Sequence, residues 1–161
     1  MKKLRKVLIL GLLVIISLIG VIGCNSGEKS ERVLDLKQFE NKMKSKGYQY
    51  KRQDLQEGLL TPISQYMLLN KSTIIDGKQV TLYDTDVIVY SYEDNEEMEK
   101  EASTINKDAS KINRTNNPIQ IEWSETPHFY KQGKIIVQYI GDDEKIISDL
   151  KEIVGDQFAG K

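Results

Sequence analysis

Hydrophobic positions follow three rhythms along this chain. The first is an unbroken run. Met1-Lys2-Lys3-Leu4-Arg5-Lys6 carries four positive charges, and the sixteen residues from Val7 to Ile22 then hold no charge and are almost all aliphatic. Gly23 and Cys24 follow, after which Asn25-Ser26-Gly27-Glu28-Lys29-Ser30 turns polar. The second rhythm is helical. Val33, Leu36, Phe39 and Met43 predict a helix over 33–46, with Gly47 placed to end it. Met98, Ala102, Ile105, Ala109 and Ile112 step by four and three, which predicts one helix from Asp94 through Ile112. Asp94 and Glu97 have capping-box spacing at its start. Ile146, Ile147, Leu150, Ile153 and Val154 predict a last helix from about Asp143 to Val154, stopped by Gly155.

The third rhythm alternates. Tyr48 to Arg52 reads as a strand, followed by a loop over 54–62 with Gly58 and Pro62 as breakers. Tyr66–Ile75 and Lys78–Tyr83 read as the arms of a hairpin turning at Asp76-Gly77. Asp84-Thr85-Asp86 interrupts the pattern before Val87–Tyr92, a strand apolar on both faces at its start and therefore central. Ile119, Ile121 and Trp123 alternate with polar residues as a half-buried strand. His128–Tyr130 and Lys134–Ile140 form a second hairpin around Gln132-Gly133. The order α-β-β-β-α-β-β-α predicts an α+β fold with a mostly antiparallel sheet and about three helices on one of its faces.

The opening run is a question of length and flanks. A basic head, a short apolar stretch and small residues at its end describe a secretory signal peptide. A permanent membrane span needs about 20 apolar residues, and this run is slightly short, with no basic stop behind it. Val21-Ile22-Gly23-Cys24 resembles the lipobox of bacterial lipoproteins. The resemblance implies cleavage before Cys24 and a thioether-linked diacylglycerol on its sulfur. Two acyl chains anchor stably where one holds only marginally, and the basic head places the domain on the extracytoplasmic side. Residues 1–23 are then a removed signal peptide, 24–31 the lipidated cysteine with a polar tether, and 32–161 a single α+β domain. A tether of seven residues reaches at most about 25 Å, so a partner lies close to the membrane.

Composition narrows the picture further. Removing the head leaves 19 basic against 24 acidic side chains, a net charge near −5. A mildly acidic domain is a poor partner for nucleic acid. Cys24 is the only cysteine. Lipidation consumes it, so no disulfide or thiolate chemistry is expected.

The C-terminal stretch Ile121–Gly160 carries a second resemblance. Trp123, Pro127-His128-Phe129-Tyr130-Lys131, Gly133, Ile135-Ile136-Val137, Tyr139 and Gly141-Asp142 resemble small uncharacterised lipoproteins of Bacillus-like and Clostridium-like bacteria. The likeness covers about a quarter of the chain plus the lipobox. It implies an origin and a domain type, and it carries over no catalytic residue.

Candidate chemistry is thin. His128 is the only histidine. A general base or a zinc ligand needs partners, and a polar-capped histidine at a strand end is the weightier reading. Asp84-Thr85-Asp86 and Asp142-Asp143-Glu144 do not fit a calcium loop, and the latter stands where a helix dipole favours carboxylates. The acidic run Glu93–Glu101 reads as a solvated helix start. Tyrosines with Trp123 can stack on sugars or peptides, and they are also ordinary sheet formers. The candidate binding surface is therefore Trp123, His128, Tyr130 and Tyr139, with no catalytic residue, metal or cofactor assigned. The expected role is a surface-tethered, non-enzymatic domain that binds an envelope protein or cell-wall component. An envelope hydrolase or transferase using His128 is the alternative, and a structural or stress-related envelope protein is a third. Mass spectrometry of the mature amino terminus is expected to find Cys24 first and diacylglycerated. An intact Met1 or an unmodified Cys24 would sink the lipoprotein reading.

Overall fold

The computed structural model describes residues 33–54, 59–61, 64–75, 78–114 and 117–161, with the backbone alone over 50–54, 64–75 and 78–86. The apolar run, Cys24, the tether and the Asp76-Gly77 turn lie outside the described residues. Among the described residues, no helix is long and apolar enough to cross a membrane.

The chain is α+β, and its sheet is antiparallel. Helix α1 (Leu36–Ser45) is followed by strands β1 (Gln49–Asp54), β2 (Ser64–Ile75) and β3 (Lys78–Ser91), then by helix α2 (Asn95–Ala102). A short ribbon of β4 (Lys111–Ile112) and β5 (Ile119–Gln120) precedes the hairpin β6 (Pro127–Gln132) and β7 (Ile135–Ile140). Helix α3 (Glu144–Val154) and strand β8 (Gln157–Gly160) end the fold. The main sheet runs β1-β2-β3-β7-β6-β8. The predicted order α-β-β-β-α-β-β-α stands, with the β4–β5 ribbon and β8 added to it.

The centre of this sheet is apolar on both faces. Along β7, Ile135, Val137 and Tyr139 point into one core with Val87, Val89 and Tyr130. Helices α1 and α3 cover that face through Phe39, Met43, Ile146 and Leu150. Ile136, Tyr90 and Phe129 point into a second core with Met98, Ala102, Ile105, Ala109 and Ile112. The helices therefore lie on both faces, not on one as expected. The reason is visible in the run Ile135-Ile136-Val137, where period-two geometry must send apolar side chains to opposite sides.

Caps follow the local chemistry. Asp35, Asp94 and Asp143 each accept amides of the first helical turn, the arrangement that satisfies otherwise orphaned donors. Gly47 and Gly155 take positive φ just beyond α1 and α3. Asp84-Thr85-Asp86 does not end a strand. Leu69 pairs with Thr85 and Asn70 with Tyr83, so one extra residue bulges while β3 continues to Ser91.

The predicted helix from Asp94 to Ile112 stops at Ala102. Ser103 and Thr104 turn their hydroxyls back onto the carbonyls of Lys100 and Glu101 at 2.7 Å each. Asn106 Oδ1 then accepts the amide of Lys111, and Asp108 Oδ1 accepts that of Ser110. These short polar side chains offer the backbone partners that compete with a helix. Ile105, Ala109 and Ile112 are buried all the same, because a tight loop returns them to the same core. The predicted strand over Ile119–Trp123 shortens to Ile119–Gln120, while Ile121 and Trp123 stay half-buried.

The β6–β7 turn ties the two faces together. Gln132 pairs with Ile135, so the turn is Gly133-Lys134. A Cβ on Gly133 would stand 2.5 Å from the backbone of Leu34, and the Lys134 amide donates to the Leu34 carbonyl at 2.9 Å. On the other side, Asn95 Nδ2 donates to the Gly133 carbonyl at 2.8 Å.

Candidate functional site

Three of the four predicted surface residues lie beneath the surface. His128, Tyr130 and Tyr139 are 5%, 1% and 2% exposed. Alternation along β6 and β7 turns both tyrosines into the core under α1 and α3. Burial lifts the Tyr130 phenol to about 12 and raises that of Tyr139 as well, so both remain protonated. Tyr90 and Tyr92 are also buried, and Tyr90 donates to Gln138 Oε1 at 2.8 Å inside the sheet. Tyr48 binds Asp149 at 2.7 Å and ties the end of α1 to α3.

His128 is held from three sides. Its Nε2 stands 3.0 Å from the carbonyl oxygen of Gly141, which can only accept, so this nitrogen carries the proton. Its Nδ1 lies 2.7 Å from Oε1 of Gln157. The ring stacks on Tyr139 with centroids 5.7 Å apart and planes at 16°. The Tyr139 hydroxyl in turn accepts the Asp143 amide at 3.0 Å. The imidazole thus joins β6, the β7–α3 turn and β8. Its ring nitrogens face a backbone carbonyl and a side-chain amide, neither of which is an acid, a base or a nucleophile.

Trp123 occupies a different place. Its Nε1 donates to the Ala109 carbonyl at 2.8 Å, and its ring packs edge-on against Phe129 at 6.0 Å and 63°. The ring is half-buried and lines an open groove of about 430 Å³. The loop with Asp108 and Ser110 forms one wall. Ser124, Glu125 and Thr126 form another, with Asp142 and Lys161 at the margin. Ala109, buried between Asp108 and Ser110, has φ 56°, unusual for a residue with a Cβ. It is held there by its amide on the Asn106 carbonyl and by Trp123 on its own carbonyl. Asp108 accepts both the amide and the hydroxyl of Ser110, which hold its carboxyl below the usual range.

Only Trp123 of the predicted set reaches this groove. Asp108, Ser110 and Glu125 carry no sequence signal of a site, and Asp142 reads only as part of a helix start. The cluster of short polar side chains Asn106, Asp108 and Ser110 is the available signal for the loop. Gln157 was missed because β8 was not foreseen.

Among the described residues, no three His, Cys, Asp or Glu side chains stand close enough to hold a metal ion. No protein-family model, no curated protein and no solved structure matches the chain.

His128→Ala removes two hydrogen bonds and a stacked ring from a buried site. It is expected to cost about 2–3 kcal/mol in urea unfolding and to loosen β8 first, read as faster proteolysis at the C-terminal end. Unchanged stability would contradict this structural role.

Proposed function

We propose that this chain is a bacterial lipoprotein, anchored through a diacylglyceryl group on Cys24 at the extracytoplasmic face of the cell membrane. Its 32–161 domain works there as a non-enzymatic binding domain. The anchor reading is supported by the basic head, the apolar run and the Val21-Ile22-Gly23-Cys24 sequence. The binding reading is supported by one observation above all. An aromatic ring, Trp123, stands half-buried in an open polar groove with its N–H already committed inward. Its remaining surface has no use in the fold. The role of His128 argues in the same direction, since the imidazole is engaged on both sides.

A short tether limits what the groove meets to components near the membrane. A photo-crosslinking residue at Ser124, on the groove wall, is expected to give a covalent adduct of defined mass in intact cells. The same residue at Ser148, exposed on α3, serves as the control and is expected to give none. Equal adducts at both positions, or none at Ser124, would contradict the binding reading.

A further inference from the structure

The groove beside Trp123 carries a charge that its walls do not neutralise. Asp108, Glu125 and Asp142 line it, against Lys161 as the cation of the lining. Asp108 is already engaged with Ser110. Glu125 and Asp142 are exposed and make no hydrogen bond or ion pair among the described residues. Some exposed carboxylates elsewhere on the domain do find cations. Glu152 is paired with Lys46 at 2.5 Å, Asp156 with Lys151 at 2.9 Å, and Glu99 with Lys131.

The aromatic surface is an independent feature of the same groove. With its N–H bound to Ala109, Trp123 has no donor to offer a ligand. It offers a π surface, and an indole is the best aromatic partner for an ammonium group. A neutral sugar would also stack on this ring, but it would leave two unpaired carboxylates uncompensated. A methylene chain ending in ammonium groups matches both features at once, with carbon against the ring and charge against the acids.

We propose that the groove binds a small aliphatic ligand carrying two or more ammonium groups. Trp123 packs on its chain, and Glu125 and Asp142 take its charges. This inference rests on the reading of the chain as a binding domain and names the ligand class of that site.

Trp123 is the only tryptophan of the chain, so its emission reports on the groove alone. The full chain, purified in a neutral detergent, is titrated with spermidine as the probe. The expected result is a saturable change in emission whose midpoint rises at least tenfold in Glu125→Gln/Asp142→Asn, and rises again at high salt through screening. Both substitutions are at exposed positions, and an unchanged thermal midpoint verifies the fold. No saturable response to spermidine, or an equal midpoint in the double variant, overturns the proposal. A response to neutral N-acetylglucosamine trisaccharide without one to spermidine also overturns it, and leaves the binding reading standing. Silence to both probes, with no adduct from Ser124, removes both.

Discussion

Burial of the central strands on both faces is the constraint from which the rest of this domain follows. β7 lies between β3 and β6, and Ile135 to Tyr139 are all buried. A strand with two apolar faces needs two covers. Helices α1 and α3 supply one, and α2 with the loop behind it supplies the other. Each fully buried aliphatic side chain contributes roughly 1.5–3 kcal/mol, so neither cover can be removed without loss of the sheet. The Gly133-Lys134 turn records the same arrangement, gripped by Leu34 from one side and Asn95 from the other.

The position of the groove is a consequence. The α2 cover is short, and the chain completes it with the loop Asn106–Lys111, the β4–β5 ribbon and the half-buried ring of Trp123. Where that patchwork meets the start of β6, polar walls stand open around an aromatic surface. His128 sits on the opposite side of the same strand end and fastens β8 to it. The one histidine thus belongs to the frame, and the one tryptophan to the opening. On the proposed reading the domain holds a ligand at this opening, and a lipid on Cys24 would hold the domain where such a ligand is met.

Much of the fold was legible in the sequence because its signals were local. Asp94, Asp143, Gly47 and Gly155 mark helix ends by chemistry that acts within a few residues. Val87 to Tyr92 announced a central strand by being apolar at every early position. What failed was information carried by distant partners. The stripe from Met98 to Ile112 has a helical period and is buried throughout, yet Thr104, Asn106, Asp108 and Ser110 find backbone partners that end the helix. Gln157–Gly160 is too short and polar to announce a strand, and it becomes one by pairing with β6. Tyr130 and Tyr139 were placed on the surface because alternation gives the side of a sheet without saying what covers it. Of the candidate site, Trp123 alone was legible, since the walls of the groove come together only through the loop and the C-terminal strand.

Native-state hydrogen exchange tests the two-sided sheet most directly. Amides of Val87–Ser91 and Ile135–Ile140 should exchange slowest and together, at the free energy of global unfolding. Those of β8 and the β4–β5 ribbon should open earlier. If β7 amides exchanged as fast as those of β8, or if the β3 and β7 amides opened independently, the central strands would not be the shared core of both faces and the account would fail.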